Sequence, residues 1–150
     1  MPLPEFNSLG DLPEGVHRAT FDETLARFGQ GSLQRQLVTA RLSRIYELVR
    51  RTGDLERFVI FGSYVTAKPD PNDVDIILVM RDDFDVAACD EQTRTLFNHL
   101  RAQDIFGASV FAVRPSTVLL ESVDEFISYW QIKRDKTLRG IVEVILEEWQ

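Results

Sequence analysis

The sequence contains a single cysteine and no long apolar run, and each of these features excludes certain classes of protein. Of its 150 residues only Cys89 is a cysteine, which excludes an internal disulfide and any zinc site built from several cysteines. No apolar run approaches the roughly 20 residues that a membrane span needs, so no membrane partner is expected. The first ten residues have neither the basic start nor the apolar stretch of a signal peptide, and a cytoplasmic location is therefore expected.

Basic residues are scarce relative to acidic ones. The chain has 17 Lys and Arg against 24 Asp and Glu, for a formal charge of −7, and residues 51–100 hold ten acids and five bases. Such a surface repels phosphate backbones, so a DNA duplex is not an expected partner. An acidic cluster can bind divalent cations instead, although most such clusters are solvated loops.

The rest of the composition is that of a globular domain, with 44% hydrophobic and 27% charged residues. The order of apolar patterns predicts an α/β (α+β) fold, a small mixed β-sheet with flanking helices, in a single domain over residues 1–150. An ordered lead-in over 1–31 and a helix from Ser32 to about Thr52 come first. The core with the sequence motif spans 57–113, and C-terminal helices occupy 119–149. The predicted strands are 57–61, 73–80 and 107–113, and the predicted helices after the first are 86–102, 119–133 and 137–149.

Two acids in the motif segment, FGSYVTAKPDPNDVDIILVM (61–80), stand two residues apart. On a strand, Asp73 and Asp75 project from the same face, with Cα atoms roughly 6.5 Å apart. Two such carboxylates repel each other unless a cation lies between them, and Mg²⁺ prefers carboxylate and phosphate oxygens. The alternative is a pair of acids at the exposed start of a strand.

A glycine and a serine follow the preceding strand. Gly62 allows another backbone or a ligand to approach closely, and Ser63 can offer its hydroxyl to phosphate oxygens. On its own, Gly-Ser indicates only a turn. A strand, Gly-Ser, nine residues and then acid-apolar-acid-apolar is a much rarer combination.

This composite pattern resembles the signature of the DNA polymerase β-like nucleotidyltransferase superfamily, on Phe61, Gly62 and Ser63 followed by Asp73-Val74-Asp75-Ile76. The small chain is similar to the minimal bacterial nucleotidyltransferases, some of which belong to toxin–antitoxin pairs. The resemblance implies that Gly62 and Ser63 bind the nucleotide phosphates, and that Asp73 and Asp75 are catalytic and hold Mg²⁺ or Mn²⁺. The implied substrate is an NTP, with ATP as the first choice.

The sequence departs from this pattern at the third carboxylate, which active members of the superfamily carry on the next strand. The matching strand, GASVFAV (107–113), has none, and Ser109 occupies the expected place. The nearest acid is Asp104, five residues earlier. We expect Ser109 to face Asp73 and Asp75 across the sheet.

Three functions therefore stay open from the sequence, and the last of them is an α/β interaction domain that binds no nucleotide. The first is an Mg²⁺-dependent transfer of a nucleoside monophosphate from an NTP to a hydroxyl, on a partner protein encoded nearby or, as second choice, on an RNA end. The alternative is a catalytically weak or inactive module of the same fold that binds or regulates, like an antitoxin. A basic cluster, Lys133, Arg134, Lys136 and Arg139, can bind phosphates or an acidic partner, or form a solvated junction.

Overall fold

A five-stranded mixed sheet forms the centre of the protein in a computed structural model that describes residues 3–118 and 122–146. The strands are β1 (Val16–Thr20), β2 (Leu55–Phe61), β3 (Val74–Met80), β4 (Ala108–Val113) and β5 (Ile141–Ile145). The helices are α1 (Phe21–Phe28), α2 (Leu33–Arg51), α3 (Glu91–Leu96), α4 (His99–Phe106) and α5 (Val123–Tyr129). The strand order is β1-β5-β2-β3-β4, with β1 parallel to β5, β3 parallel to β4, and β2 antiparallel to both its neighbours. The predicted α/β (α+β) class is confirmed.

Both faces of the sheet are covered, but by unequal layers. Helices α1 to α4 cover one face and bury a large core that includes Leu42, Ile76 and Leu78. On the other face, α5 covers a smaller core around Ile77 and Ile127. Because β3 has a neighbour on each side and is buried on both faces, its unbroken apolar run fits the central position that the sequence predicts.

The long helix α2 agrees with its sequence signals. The hydroxyl of Ser32 accepts from the backbone N–H of Arg35 at 3.0 Å and caps the helix, an interaction typically worth about 1 kcal/mol. The buried positions Val38, Leu42, Ile45 and Val49 follow the 3.6-residue period. Neither α2 nor any other helix in the described ranges is long and apolar enough to cross a membrane.

The lead-in expected over 1–31 contains regular structure within its described residues, 3–31. Strand β1 lies at the edge of the sheet beside β5, and Thr20 then begins α1 with a reciprocal cap to Glu23. The sequence did not indicate β1 because its parallel partner lies more than 120 residues away along the chain.

The single helix expected over 86–102 is divided into α3 and α4. Asp90 accepts from the N–H of Thr93 at 2.8 Å, and Asn98 accepts from the N–H of Arg101 at 3.2 Å. Asp90 caps α3 and Asn98 caps α4. A new helix therefore begins at a position where the prediction has one continuous helix. Leu100, near the start of α4, is 72% exposed.

The predicted helix over 137–149 is wrong. Ile141–Ile145 form strand β5, which pairs with β1 and β2, and its first four residues are buried. The apolar residues of this segment, Ile141, Val142 and Ile145, also fit the spacing of a helix. However, four of the five residues in IVEVI are β-branched and fit a central strand. Of the helix expected over 119–133, the structure has α5; residues 119–121 and 147–150, with Trp149, lie outside the described residues.

Candidate functional site

An open pocket of about 860 Å³ collects most of the residues that the sequence singles out. Gly62, Ser63 and Asp75 line it, together with Lys68. It lies on the face of the sheet covered by α5, where β2 ends and β3 begins. The pairing of Phe61 with Asp75 places the Gly-Ser turn directly beside the carboxylate.

Gly62 touches Asp75 so closely that no side chain fits at this position. A Cβ atom built on Gly62 would lie 2.0 Å from Oδ2 of Asp75. The residue also has φ 80° and ψ −163°, a backbone region that is essentially restricted to glycine. Glycine is therefore required here for two reasons, its conformation and the contact with the carboxylate.

Asp75 is a perturbed acid. Burial raises its pKa to about 6, and the negative charge of Asp73 acts in the same direction. The hydroxyl of Ser109 and the charge of Arg139 oppose this rise in pKa. Desolvation next to a like charge is the arrangement that a bound cation would relieve.

The structure brings the predicted pair of acids within electrostatic reach of each other but gives them different positions. Asp75 is a residue of β3 and lines the pocket. Asp73 precedes the strand, is half-buried and is not among the lining residues. The roles proposed for Asp73, Asp75, Gly62 and Ser63 in binding and catalysis stay predictions.

Ser109 lies opposite Asp75, as expected. The two residues are paired in the parallel register of β3 and β4, so their side chains share one face of the sheet. Ser109 is buried, and its Oγ accepts from the Nε2 of Gln103 at 3.2 Å. Asp104, the nearest acid in sequence, is exposed on α4. Among the described residues no group of three His, Cys, Asp or Glu side chains could hold a metal ion.

A buried arginine that the sequence analysis did not identify holds the loop after Gly62. The guanidinium of Arg35 donates to the carbonyls of Phe28 (3.2 Å), Tyr64 (2.7 Å), Thr66 (3.1 Å) and Lys68. Burial lowers its pKa. The sequence feature that pointed to Arg35 is its position three residues before Val38, which places it on the apolar face of α2. Arg35 fixes the path of residues 64–68, and with it the position of Lys68 at the pocket.

The cationic part of the pocket comes from the far end of the chain. Lys133, Arg134 and Arg139 line it, whereas Lys136, the fourth member of the basic cluster, does not. Four cationic side chains and two carboxylates, Asp75 and Asp135, therefore line the opening of a protein that carries a net charge of −7. The pocket is suited to an anionic ligand.

Three partly buried aromatic rings form the apolar wall of the pocket. The ring of Trp130 lies 4.8 Å from that of Phe61 and 5.1 Å from that of Phe111, measured between centroids. These distances are typical of packed aromatic pairs. The imidazole of His99 extends the cluster, 4.9 Å from Phe111.

Comparison with known proteins gives a family but no activity. No curated protein and no solved structure matches the chain. The model of DUF6932, described as a family of unknown function, matches residues 4–145, which include every strand of the sheet and the whole pocket. The chain therefore belongs to the DUF6932 family.

Proposed function

We propose that the protein is an Mg²⁺- or Mn²⁺-dependent nucleotidyltransferase that uses an NTP. The observation that supports this most strongly is the shared opening of Gly62, Ser63 and Asp75 with four cationic side chains. These residues come from the loop after β2, from β3 and from the segment before β5, so their meeting is a property of the tertiary structure. This arrangement supports the proposal that an anionic substrate binds beside the acid that would hold a cation.

The residues present fit a hard divalent cation. Asp73 and Asp75 offer only oxygen ligands, and the burial of Asp75, together with the repulsion from Asp73, raises the pKa of Asp75 to about 6. Mg²⁺ commonly takes one or two protein carboxylates and completes its shell with water and substrate phosphates. When bound, such an ion supplies charge stabilisation for phosphoryl transfer.

The chain's own residues bind and orient the substrate. Gly62 lets the backbone contact the carboxylate of Asp75, and Ser63 and Lys68 offer a hydroxyl and an ammonium group to phosphate oxygens. In the proposed reaction an acceptor hydroxyl attacks the α-phosphorus, a new P–O bond forms, and pyrophosphate leaves with the electrons of the bond that breaks. The hydroxyl proton passes to solvent, since Ser109 cannot take it.

The acceptor and partner are proposed from charge. The chain has seven more negative than positive charges, so its surface repels the phosphate backbone of an RNA. A hydroxyl on a protein is therefore the first acceptor that we propose, ahead of an RNA end. A protein encoded nearby is the first partner to test, in the manner of a toxin–antitoxin pair, and the expected location is cytoplasmic.

One observation favours a second candidate, a module that binds the nucleotide but transfers it slowly or not at all. Ser109 stands opposite Asp75 where a third carboxylate would assist the acceptor hydroxyl. General-base assistance is typically worth about 10²–10⁴ in rate. Binding without rapid transfer is the behaviour that separates this candidate from the enzyme.

The test incubates the protein with each α-³²P-labelled NTP, Mg²⁺ or Mn²⁺ and the products of neighbouring genes. The enzyme predicts label on the acceptor that is lost in Asp75→Asn and kept in Asp70→Asn. Asp70 is an exposed acid of the loop before β3 that does not line the pocket, and it is the matched control. Tight NTP binding without label transfer would favour the binding module. Absence of NTP binding would refute both candidates.

A further inference from the structure

The segment over residues 131–139 forms a short hairpin, here called the basic hairpin. An antiparallel bridge pairs Ile132 with Leu138, and the N–H of Lys133 donates to the carbonyl of Thr137 at 2.8 Å. The N–H of Arg139 closes the base by donating to the carbonyl of Gln131 at 3.0 Å. Lys136 turns the chain with φ 73°. A defined backbone therefore carries the cluster of cations.

The lead-in segment attaches this hairpin to the body of the protein. The buried carboxylate of Asp11 contacts two hairpin cations, with 3.1 Å from Oδ2 to Nζ of Lys133 and 3.6 Å from Oδ1 to a guanidinium nitrogen of Arg139. The side chain of Gln131 also accepts from the N–H of Gly15. Lys133 and Arg139 are each 24% exposed, so their charged groups are held in place yet still reach the pocket.

The charges of the hairpin are not balanced by its contacts. Asp11 offers one negative charge to two cations. Asp135 accepts from the N–H of Thr137 at 3.0 Å and is engaged in the turn. Within the described part of the chain, no carboxylate forms an ion pair with Arg134, which is exposed and lines the pocket. The hairpin consequently presents net positive charge to the opening that contains Asp75.

We propose that the basic hairpin is a second phosphate-binding subsite of this pocket, in which Lys133, Arg134 and Arg139 bind the polyphosphate tail of a nucleotide. The inference rests on the proposed function for the identity of the nucleotide. It adds a selectivity: the site prefers triphosphates to monophosphates, because a longer anionic tail satisfies more of these cations. Arginine supplies paired N–H donors that suit phosphate oxygens, and Lys133 acts as a point charge.

The chain provides a matched pair of variants for the test. Arg134 and Lys136 stand two residues apart on the same hairpin and both are exposed, but only Arg134 lines the pocket. Arg134→Gln and Lys136→Gln remove the same charge from the same element. Neither residue is buried, so both variants are expected to fold.

Calorimetry is performed with Mg²⁺–ATP, Mg²⁺–AMP and inorganic tripolyphosphate as probes. We expect Arg134→Gln to weaken ATP and tripolyphosphate binding about tenfold, the lower end for a hydrogen bond to a charged group, since Arg134 is solvated. AMP binding should change much less, and Lys136→Gln should change all three by less than about twofold.

The outcomes separate this inference from the proposed function. If the natural protein binds ATP but the two variants behave alike, the subsite is overturned while the proposed function stands. If Arg134→Gln selectively weakens tripolyphosphate but no label transfer occurs, the subsite is supported and the transfer is refuted. If the natural protein binds neither ATP nor tripolyphosphate, both are overturned.

Discussion

Replacing Asp75 by asparagine is expected to stabilise the metal-free protein at neutral pH. In the folded chain, burial and the charge of Asp73 raise the pKa of Asp75 from its ordinary value of 3.8 to about 6. The folded state therefore binds more protons than the unfolded state between about pH 4 and pH 6. Since the unfolded chain gives up this proton more readily, the contribution of Asp75 to stability falls as the pH rises through that window.

The size of the effect follows from the shift. Roughly two pKa units at about 1.36 kcal/mol each set an upper limit near 3 kcal/mol. Asp75 is only partly buried and faces an open pocket, so solvent screening reduces the expected effect to about 1–2 kcal/mol. Asparagine keeps the shape of the side chain and does not titrate, so it removes this pH-dependent cost.

The assay is urea unfolding in EDTA at several pH values between about 4.5 and 7.5. The free energy of unfolding of Asp75→Asn minus that of the natural protein should be small at the acidic end and rise to its full value above about pH 6. Asp70→Asn, in the exposed loop before β3, should change the stability by less than about 0.5 kcal/mol. A difference that stays flat with pH, or a variant less stable than the natural protein at neutral pH, would refute the reasoning.

Three further substitutions test the surroundings of this acid. Gly62→Ala should lower the free energy of urea unfolding by at least about 1–3 kcal/mol, because of the restricted backbone and the contact with Asp75. Adding Asp75→Ala should restore only the part of this free energy that is due to the contact. Ser109→Asp should destabilise the metal-free protein, and added Mn²⁺ should reverse this loss of stability. The variant should also bind Mn²⁺ more tightly than the natural protein, and an unchanged Mn²⁺ affinity would contradict the position we assign to residue 109. Arg35→Met should cost about 3 kcal/mol or more, since four carbonyls lose a charged donor, and a change under about 1 kcal/mol would show that the loop does not depend on it.

The sequence alone determined the parts of the site that are local along the chain. The apolar run after Asp75 indicates a strand buried on both faces, and the Ser32 cap with its periodic apolar positions indicates α2. These features need only neighbouring residues to be recognised. The position of Ser109 opposite the acids was instead implied by the resemblance to the nucleotidyltransferase superfamily, and the structure confirms it for Asp75.

Other features were beyond local reasoning, because their partners are distant in sequence. IVEVI satisfies a helical spacing and a strand pattern equally over five residues, and only the two neighbours β1 and β2 decide for the strand. Its central Glu143 is tolerated in a buried position because Arg57 of β2 forms a bidentate pair with it, at 2.9 and 2.6 Å.

The pocket depends most on the tertiary structure. Its acid comes from β3, and its hairpin cations are separated from that acid by more than 50 residues. Asp11, more than 120 residues from Lys133, holds the hairpin in place. In the sequence, Asp11 is one acid in a lead-in and the basic cluster is a set of solvated charges. Folding puts them in contact because β5 must lie between β1 and β2, which brings the lead-in and the segment before β5 to the same end of the sheet.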